Sequence, residues 1–274
     1  MSDGAAVPRV MGPKVMGIVN VTPDSFSDGG RFFGREAALA HARSLIAAGA
    51  DVLDIGGEST RPGAEPVATA VEIERVIPLI QAIRAISVIP ISIDTVKPEV
   101  ARAAVEVGAS IWNDVTALRS PGAPEAAAEL GCEVILMHMQ GEPRTMQENP
   151  RYDDVLAEVT AFLMGRTEAA LAAGVARERI MLDPGIGFGK TLGHNLALIR
   201  GLPTLGALGY PVVLGASRKR FLRAIDPTAM ETDDRRGGSI AAALAGAERG
   251  AAMVRVHDVR ETVQALKVWA AIRA

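Results

Sequence analysis

The chain is predicted to fold as a single (β/α)8 TIM barrel of the α/β class. Three observations carry this expectation. Eight short apolar runs of strand length alternate with Ala-rich amphipathic stretches of helix length. No Pro/Gly/Ser-rich linker and no shift in composition divides them. Polar residues gather at the C-terminal ends of the apolar runs, the positions that a barrel brings together on one face. A doubly wound open sheet is the alternative topology for the same alternation.

In chain order, strands are expected at Lys14–Asn20, Val52–Gly56, Ile91–Asp94, Ile111–Asp114, Glu133–His138, Ile180–Asp183, Pro211–Gly215 and Ala252–Val256. Helices are expected at Arg35–Ala48, Pro66–Ala85, Pro98–Val107, Glu125–Leu130, Asp153–Ala173, Asn195–Gly201, Gly237–Arg249 and Glu261–Ala274. Pro98 suits a first helical turn, and Gly49, Gly108, Gly174 and Gly250 stand where helices stop. Residues 1–13 read as an N-terminal tail and 14–274 as one domain.

Composition narrows the function classes. A 49% hydrophobic chain of 274 residues can bury a large core. Its 29 basic and 32 acidic residues leave a net charge of -3, without the basic excess that nucleic-acid binding usually needs. The one cysteine, Cys132, allows no internal disulfide and fits a reducing compartment. Met1–Lys14 lacks the apolar stretch of a signal peptide, and the apolar runs are too short for a membrane helix. A soluble cytoplasmic protein is expected, with small molecules for partners.

The polar strand ends are Asn20, Asp94, Asn113, Asp114, His138, Asp183, the Ser217-Arg218-Lys219 run, Arg255 and His257. A single polar strand end is often a helix cap, and Asp94 and Asp183 could each be one. So many in one arrangement point to a site. The connections at 20–34 and 56–66 are glycine-rich and longer than usual βα loops, so they are expected to be mobile. Gly185–Thr191 (GIGFGKT) falls one residue short of a phosphate-binding P-loop and reads as a turn. Cys132 reads as packing, His41 as a helix-face residue, His194 as a helix-start residue, and Arg235 and Arg236 as a solvated loop. Trp112, next to Asn113 on a strand, is expected to point toward the helix layer.

Longer motifs narrow the function. GIVNVTPDSFSDGG (Gly17–Gly30), DIGGESTRPGA (Asp54–Ala64), LDPGIGFGK (Leu182–Lys190), SRK (Ser217–Lys219) and RVHDV (Arg255–Val259) resemble, in order and spacing, the signatures of the dihydropteroate synthase family. The resemblance covers roughly residues 14–270; Ile186 replaces a commonly aromatic residue, and Arg223–Arg236 is poorly matched and expected to be flexible.

The resemblance implies condensation of 6-hydroxymethyl-7,8-dihydropterin diphosphate with 4-aminobenzoate. It places the pterin among Asp94, Asn113, Val115, Met137, Asp183, Phe188 and Lys219. Pyrophosphate falls to Asn20, Arg61, Arg255 and His257, with Asn20 as the protein ligand of a Mg²⁺ cofactor. The arylamine falls to Phe26, Thr60, Arg61, Pro62, Phe188, Ser217 and Lys219, and catalysis to Asp94, Lys219 and Arg255. It also implies a homodimer.

The chemistry of these side chains agrees. A carboxylate can accept the adjacent amine and ring N–H of a pterin edge, and arginines suit a diphosphate. An aromatic amine is neutral at pH 7 and needs no strong general base. Three other functions compete with this one: a methyltetrahydrofolate:corrinoid methyltransferase, which needs no pyrophosphate pocket; a pterin-binding paralogue without turnover; and a Schiff-base aldolase using Lys219.

Overall fold

The structure is a computed structural model that describes residues 12–21, 30–59, 65–142 and 145–274, with nothing said of the side chains of 30–33. Its strands are β1 Lys14–Asn20, β2 Val52–Gly56, β3 Ile91–Asp94, β4 Ile111–Asp114, β5 Glu133–Met137, β6 Ile180–Asp183, β7 Val213–Leu214 and β8 Met253–Val256. All pair in parallel in the order β6-β5-β4-β3-β2-β1-β8-β7. A parallel bridge between Leu182 and Val212 joins the two ends of that order, so the sheet closes on itself. Closure decides for the barrel over the open doubly wound sheet.

The helices are α1 Gly30–Ala47, α2 Thr69–Arg84, α3 Pro98–Glu106, α4 Ala123–Leu130, α5 Val155–Ala172, α6 Leu192–Arg200, α7 Leu202–Gly206, α8 Arg220–Ile225, α9 Arg236–Glu248 and α10 Val259–Arg273. Eight match expected helices to within a few residues. The short α7 and α8 escaped the sequence reading because five or six residues do not display a helical period. Strand β7 keeps only two ladder residues of the five expected, its flanks making the closing bridge instead.

Two apolar layers hold the barrel. The larger lies between strands and helices and includes Trp112, Leu53, Ile55, Ile93, Leu136 and Leu182, all fully buried. The smaller plugs the barrel itself: Met16, Val52, Ile111, Ile135, Met181, Val213 and Met253. Strand β3 breaks the plug with Ser92, register-paired with Ile111. Trp112 points outward as expected, its Nε1 donating to the Thr95 carbonyl at 2.8 Å. Cys132 is buried, and burial pushes its thiol up to about 11, which leaves it an inert packing residue.

His194 starts α6 in a capping box with Thr191, and His41 Nε2 bonds the Ile18 carbonyl at 3.2 Å. The solvated loop expected at Arg235 and Arg236 is corrected. Arg235 is buried, donating to the carbonyls of Met230 at 2.6 Å and Arg218 at 3.1 Å, while Arg236 opens α9 and pairs with Asp258 at 3.2 Å. A guanidinium can satisfy several backbone carbonyls at once, so a polar run of sequence became the support of a loop. The tail at 1–11 and much of the two glycine-rich loops lie outside the described residues.

Candidate active site

Side chains alternate between the faces of a strand, so the residue two positions beyond each plug residue points the same way, one layer nearer the barrel mouth. Applied to the plug, this rule gives Val52 to Asp54, Ile111 to Asn113, Ile135 to Met137, Met181 to Asp183, Val213 to Gly215, and Met253 to Arg255. Strand register aligns Asn20, Gly56, Asp94 and Asn113 in a row across β1 to β4. The mouth layer is therefore polar because the bottom layer fills the barrel and carries its packing. On the outward face, Asp114 ties its own loop, accepting from Thr116 N at 2.7 Å and Leu118 N at 2.9 Å. His138 also faces outward, edge-on to Phe162 of α5 at 4.8 Å, and so does not line the mouth.

At the centre stands Arg255, its Nε donating to Asp54 Oδ2 at 2.6 Å and its Nη2 to Asp94 Oδ2 at 2.7 Å. Burial opposes its charge, but the two carboxylates outweigh burial and push its pKa up. Asp94 is buried, and its Oδ1 has no hydrogen-bond partner among the described residues. Burial pushes the Asp94 carboxyl up to about 7; Arg255 counteracts this, and the nearby charges of Asp54, Glu72 and Asp114 add to it. Asn113 Nδ2 lies 3.3 and 3.4 Å from the two Asp54 oxygens.

Across the mouth, Asp183 Oδ1 accepts the Gly185 N–H at 2.7 Å. Its Oδ2 borders the space that Gly215 leaves open: a Cβ there would lie 3.7 Å from Asp183 Oδ2, 3.8 Å from Lys219 Nζ and 3.9 Å from Arg255 Cβ. Burial raises the Asp183 pKa, with Lys219 the main counterweight. Neither Asp94 nor Asp183 caps the helix that follows: the N-cap of α3 is Lys97 and that of α6 is Thr191. The capping alternative is thereby excluded.

Lys219 Nζ donates to the Ile186 carbonyl and lies 4.5 Å from the centre of the Phe188 ring. Burial pushes its pKa down to about 8, against the pull of Asp183. Phe188 packs with Val115, Met137, Met139 and Met146 to form the apolar wall expected there. The turn carrying Phe188 is held by a second lysine, Lys190, whose Nζ donates to the Phe188 carbonyl at 2.9 Å and lies 2.9 Å from His138 Nδ1. Burial pushes Lys190 down to about 7 and His138 down to about 3. Gly185, at φ 68°, lies so close to the His138 carbonyl that any Cβ would overlap it.

The remaining expected residues divide. Ser217 and His257 meet, with Ser217 Oγ accepting the His257 N–H at 3.2 Å and lying 3.0 Å from its Nδ1. Between Ser217 and Lys219, Arg218 takes the strained φ of 58° and turns its guanidinium onto Asp258 at 2.6 and 3.0 Å, so that its neighbours can face the mouth. Phe26, Thr60, Arg61 and Pro62 lie outside the described residues. Sequence reasoning missed Asp54 and Lys190. Asp54 could have been found as a lone carboxylate in the middle of an otherwise apolar strand; Lys190 had no signal beyond its glycine-rich turn.

For a cation, the donor set at Asn20 fits a hard metal. Its Oδ1 and Asp94 Oδ2 both lie 3.7 Å from the point a Gly56 Cβ would occupy, so two oxygens border one gap. Among the described residues no group of three or more His, Cys, Asp or Glu could hold a metal alone, so a cation there needs ligand oxygens as well.

Comparison with known proteins agrees with this geometry. Residues 16–257 match the family described as "Pterin binding enzyme". The chain is 49% identical over 256 residues to a dihydropteroate synthase of Escherichia coli, covering 93% of this chain and 90% of the other. With one of Neisseria meningitidis it shares 50% over 266 residues, 95% of this chain and 93% of the other. A solved Xanthomonas albilineans dihydropteroate synthase with 4-aminobenzoic acid superposes with a TM-score of 0.91 at 53% identity, covering 96% of this chain and 94% of that one. The same organism's enzyme in complex with 7,8-dihydropteroate superposes with a TM-score of 0.87 at 50% identity, covering 96% and 95%. With barrel, mouth residues and relatives in agreement, the chain belongs to the dihydropteroate synthase family of pterin-binding enzymes.

Proposed function

We propose that the protein condenses 6-hydroxymethyl-7,8-dihydropterin diphosphate with 4-aminobenzoate, giving 7,8-dihydropteroate and pyrophosphate in folate biosynthesis. The observation that carries this reading is the chemistry of the barrel mouth: Asp94 Oδ1, buried and without a hydrogen-bond partner among the described residues, and the buried Asp183, whose Oδ2 borders the open space at Gly215, beside the cations Arg255 and Lys219. A buried acceptor without a partner is costly unless a ligand supplies the donor.

In this reading Asp183 accepts the pterin's amine and ring N–H, Asn113 meets the adjacent edge, and Asp94 accepts from the opposite side of the ring. Lys219 leaves the Ile186 carbonyl to donate to a ring acceptor, with Phe188 and Met137 covering the faces. The methylene C–O bond breaks and the departing diphosphate takes the electron pair. The arylamine nitrogen forms the new bond to the methylene and loses its proton to solvent. Arg255 stands where charge grows on the leaving oxygen, and Asp94 faces the positive charge that the ring draws from the methylene. Asn20 is the residue to hold Mg²⁺, which when bound would offset the diphosphate charge. His257 and Arg61 complete the anion pocket, and Ser217, Thr60, Pro62 and Phe26 the arylamine pocket.

A cytoplasmic homodimer completes the proposal. The family supports it, and among the described residues no helix is long and apolar enough to cross a membrane. Calorimetric titration of 4-aminobenzoate tests the substrate assignment. Binding is expected with pyrophosphate and Mg²⁺ present and is expected to vanish on chelation. A protein that binds pterin but no arylamine under any of these conditions is not the enzyme proposed.

A further inference from the structure

Asp54 is fully buried in the middle of β2 and, although on the inward face with the mouth residues, pairs in register with Ser92, two residues short of the row of Asn20, Gly56, Asp94 and Asn113, so the proposed reaction gives it no substrate contact. It nevertheless touches two residues that do. Its Oδ2 accepts from Arg255 Nε at 2.6 Å, and both of its oxygens lie within 3.4 Å of Asn113 Nδ2.

The second contact has a consequence for recognition. An amide side chain presents nitrogen on one side and oxygen on the other, and a carboxylate can only accept. Asp54 therefore draws the Asn113 nitrogen downward and turns Oδ1 toward the pocket. The first contact acts in the same direction on Arg255. A guanidinium held at Nε by Asp54 and at Nη2 by Asp94 has a fixed plane, because two bonds from one rigid fork leave no free rotation. No described residue bonds its Nη1, which is left for a ligand.

From this geometry we propose that Asp54 is a positioning residue that sets the hydrogen-bond polarity of the pterin pocket, making Asn113 an acceptor and fixing the plane of Arg255. The inference rests on the pterin-binding reading of the site and adds the residue that determines which ring edge it accepts.

Asp54→Asn is the test, since it keeps size and shape. An amide at position 54 can still accept from Arg255 with its oxygen, but its nitrogen then replaces the other acceptor, 3.4 Å from the Asn113 nitrogen, and leaves Asn113 to share the one remaining oxygen with Arg255. The proposal expects Asn113 to turn over and offer the pocket a donor. Affinity for 6-hydroxymethylpterin, followed by calorimetry, is expected to fall roughly 10- to 100-fold, the scale of one reversed hydrogen bond at a buried site. KM for the pterin diphosphate should rise while KM for 4-aminobenzoate stays unchanged, a split that mere loosening of the barrel would not produce. In an Asn113→Ala background the same substitution should cost less than about threefold, because the reversed partner is gone. Equal losses in the two backgrounds, or unchanged affinity in the single variant, overturn the proposal. Failure of the wild-type protein to bind 6-hydroxymethylpterin overturns the pterin-binding reading and the proposal with it. A measurement on the wild type stands if the variant does not fold. The Asn113 side-chain amide protons, identified by their loss in Asn113→Ala, should be protected from exchange with D2O in ligand-free protein, and rapid exchange refutes the bond to Asp54.

Discussion

Replacing Asp183 by Asn should separate binding from stability in opposite directions. Oδ1 of Asp183 is engaged with the Gly185 N–H at 2.7 Å, while Oδ2 borders the cavity next to Lys219 and Arg255. An Asn can keep the Gly185 bond with its oxygen and must then present an amide nitrogen where the pterin's own N–H groups arrive. A charge-assisted hydrogen bond is thereby lost and a donor faces a donor. At about 1.5–3 kcal/mol for a hydrogen bond to a charged group, pterin affinity should fall roughly 10- to 150-fold. Stability should not fall with it. Burial raises the Asp183 pKa, so its charged form is disfavoured in the folded state, and that penalty applies above the folded pKa and fades as pH falls through it. A neutral Asn removes the penalty. The melting temperature at pH 8 should be equal to or above wild type, with the difference shrinking under acid conditions. Calorimetry with 6-hydroxymethylpterin and thermal unfolding on the same samples decide. Unchanged affinity would remove Asp183 from the site, and a parallel loss of stability and affinity would make it a structural carboxylate.

The pH profile of kcat/KM for the pterin diphosphate should be a narrow bell, since Asp94 offsets the ring's positive charge only when ionised and Lys219 is a cation only when protonated. The rate should rise as pH passes about 7 and fall as it passes about 8, and a flat profile from pH 6 to 9 would contradict both roles. Arg255→Ala leaves Asp54 and Asp94 buried without their cation, so chemical denaturation should show a loss of about 3–5 kcal/mol; a loss under about 1 kcal/mol would refute the pairing. Gly185→Ala should abolish pterin binding, measured by calorimetry, because a Cβ overlaps the His138 carbonyl and the turn holding Phe188 must move; normal affinity would show that the turn is not part of the site. Ile135→Ala, in the barrel plug, should cost about 2–5 kcal/mol in denaturant unfolding, with pterin affinity within a fewfold of wild type.

Much of this site is legible in strand periodicity. Parity along a strand is a local property, so Asn113, Asp183 and Arg255 could be assigned to the mouth from their places at strand ends, and Trp112 to the opposite face. What alternation does not contain is who meets whom. Asp54 and Arg255 are 201 positions apart, and only closure of the barrel makes them partners. The same holds for the pairing of Ser217 with His257. Lys190 and Arg235 were unreadable for a different reason. Each carries a charge that sequence places at the surface by default, and each is buried because several backbone carbonyls converge on it.

The most direct test of the proposed function is product stoichiometry in a single reaction. Purified protein is mixed with 6-hydroxymethyl-7,8-dihydropterin diphosphate, 4-aminobenzoate and Mg²⁺, and pyrophosphate and dihydropteroate are followed together. Equal amounts of the two should form with multiple turnovers, and omission of the arylamine should stop dihydropteroate formation. Tight pterin binding without either product would identify a pterin-binding protein that does not catalyse the condensation, contrary to the function proposed here.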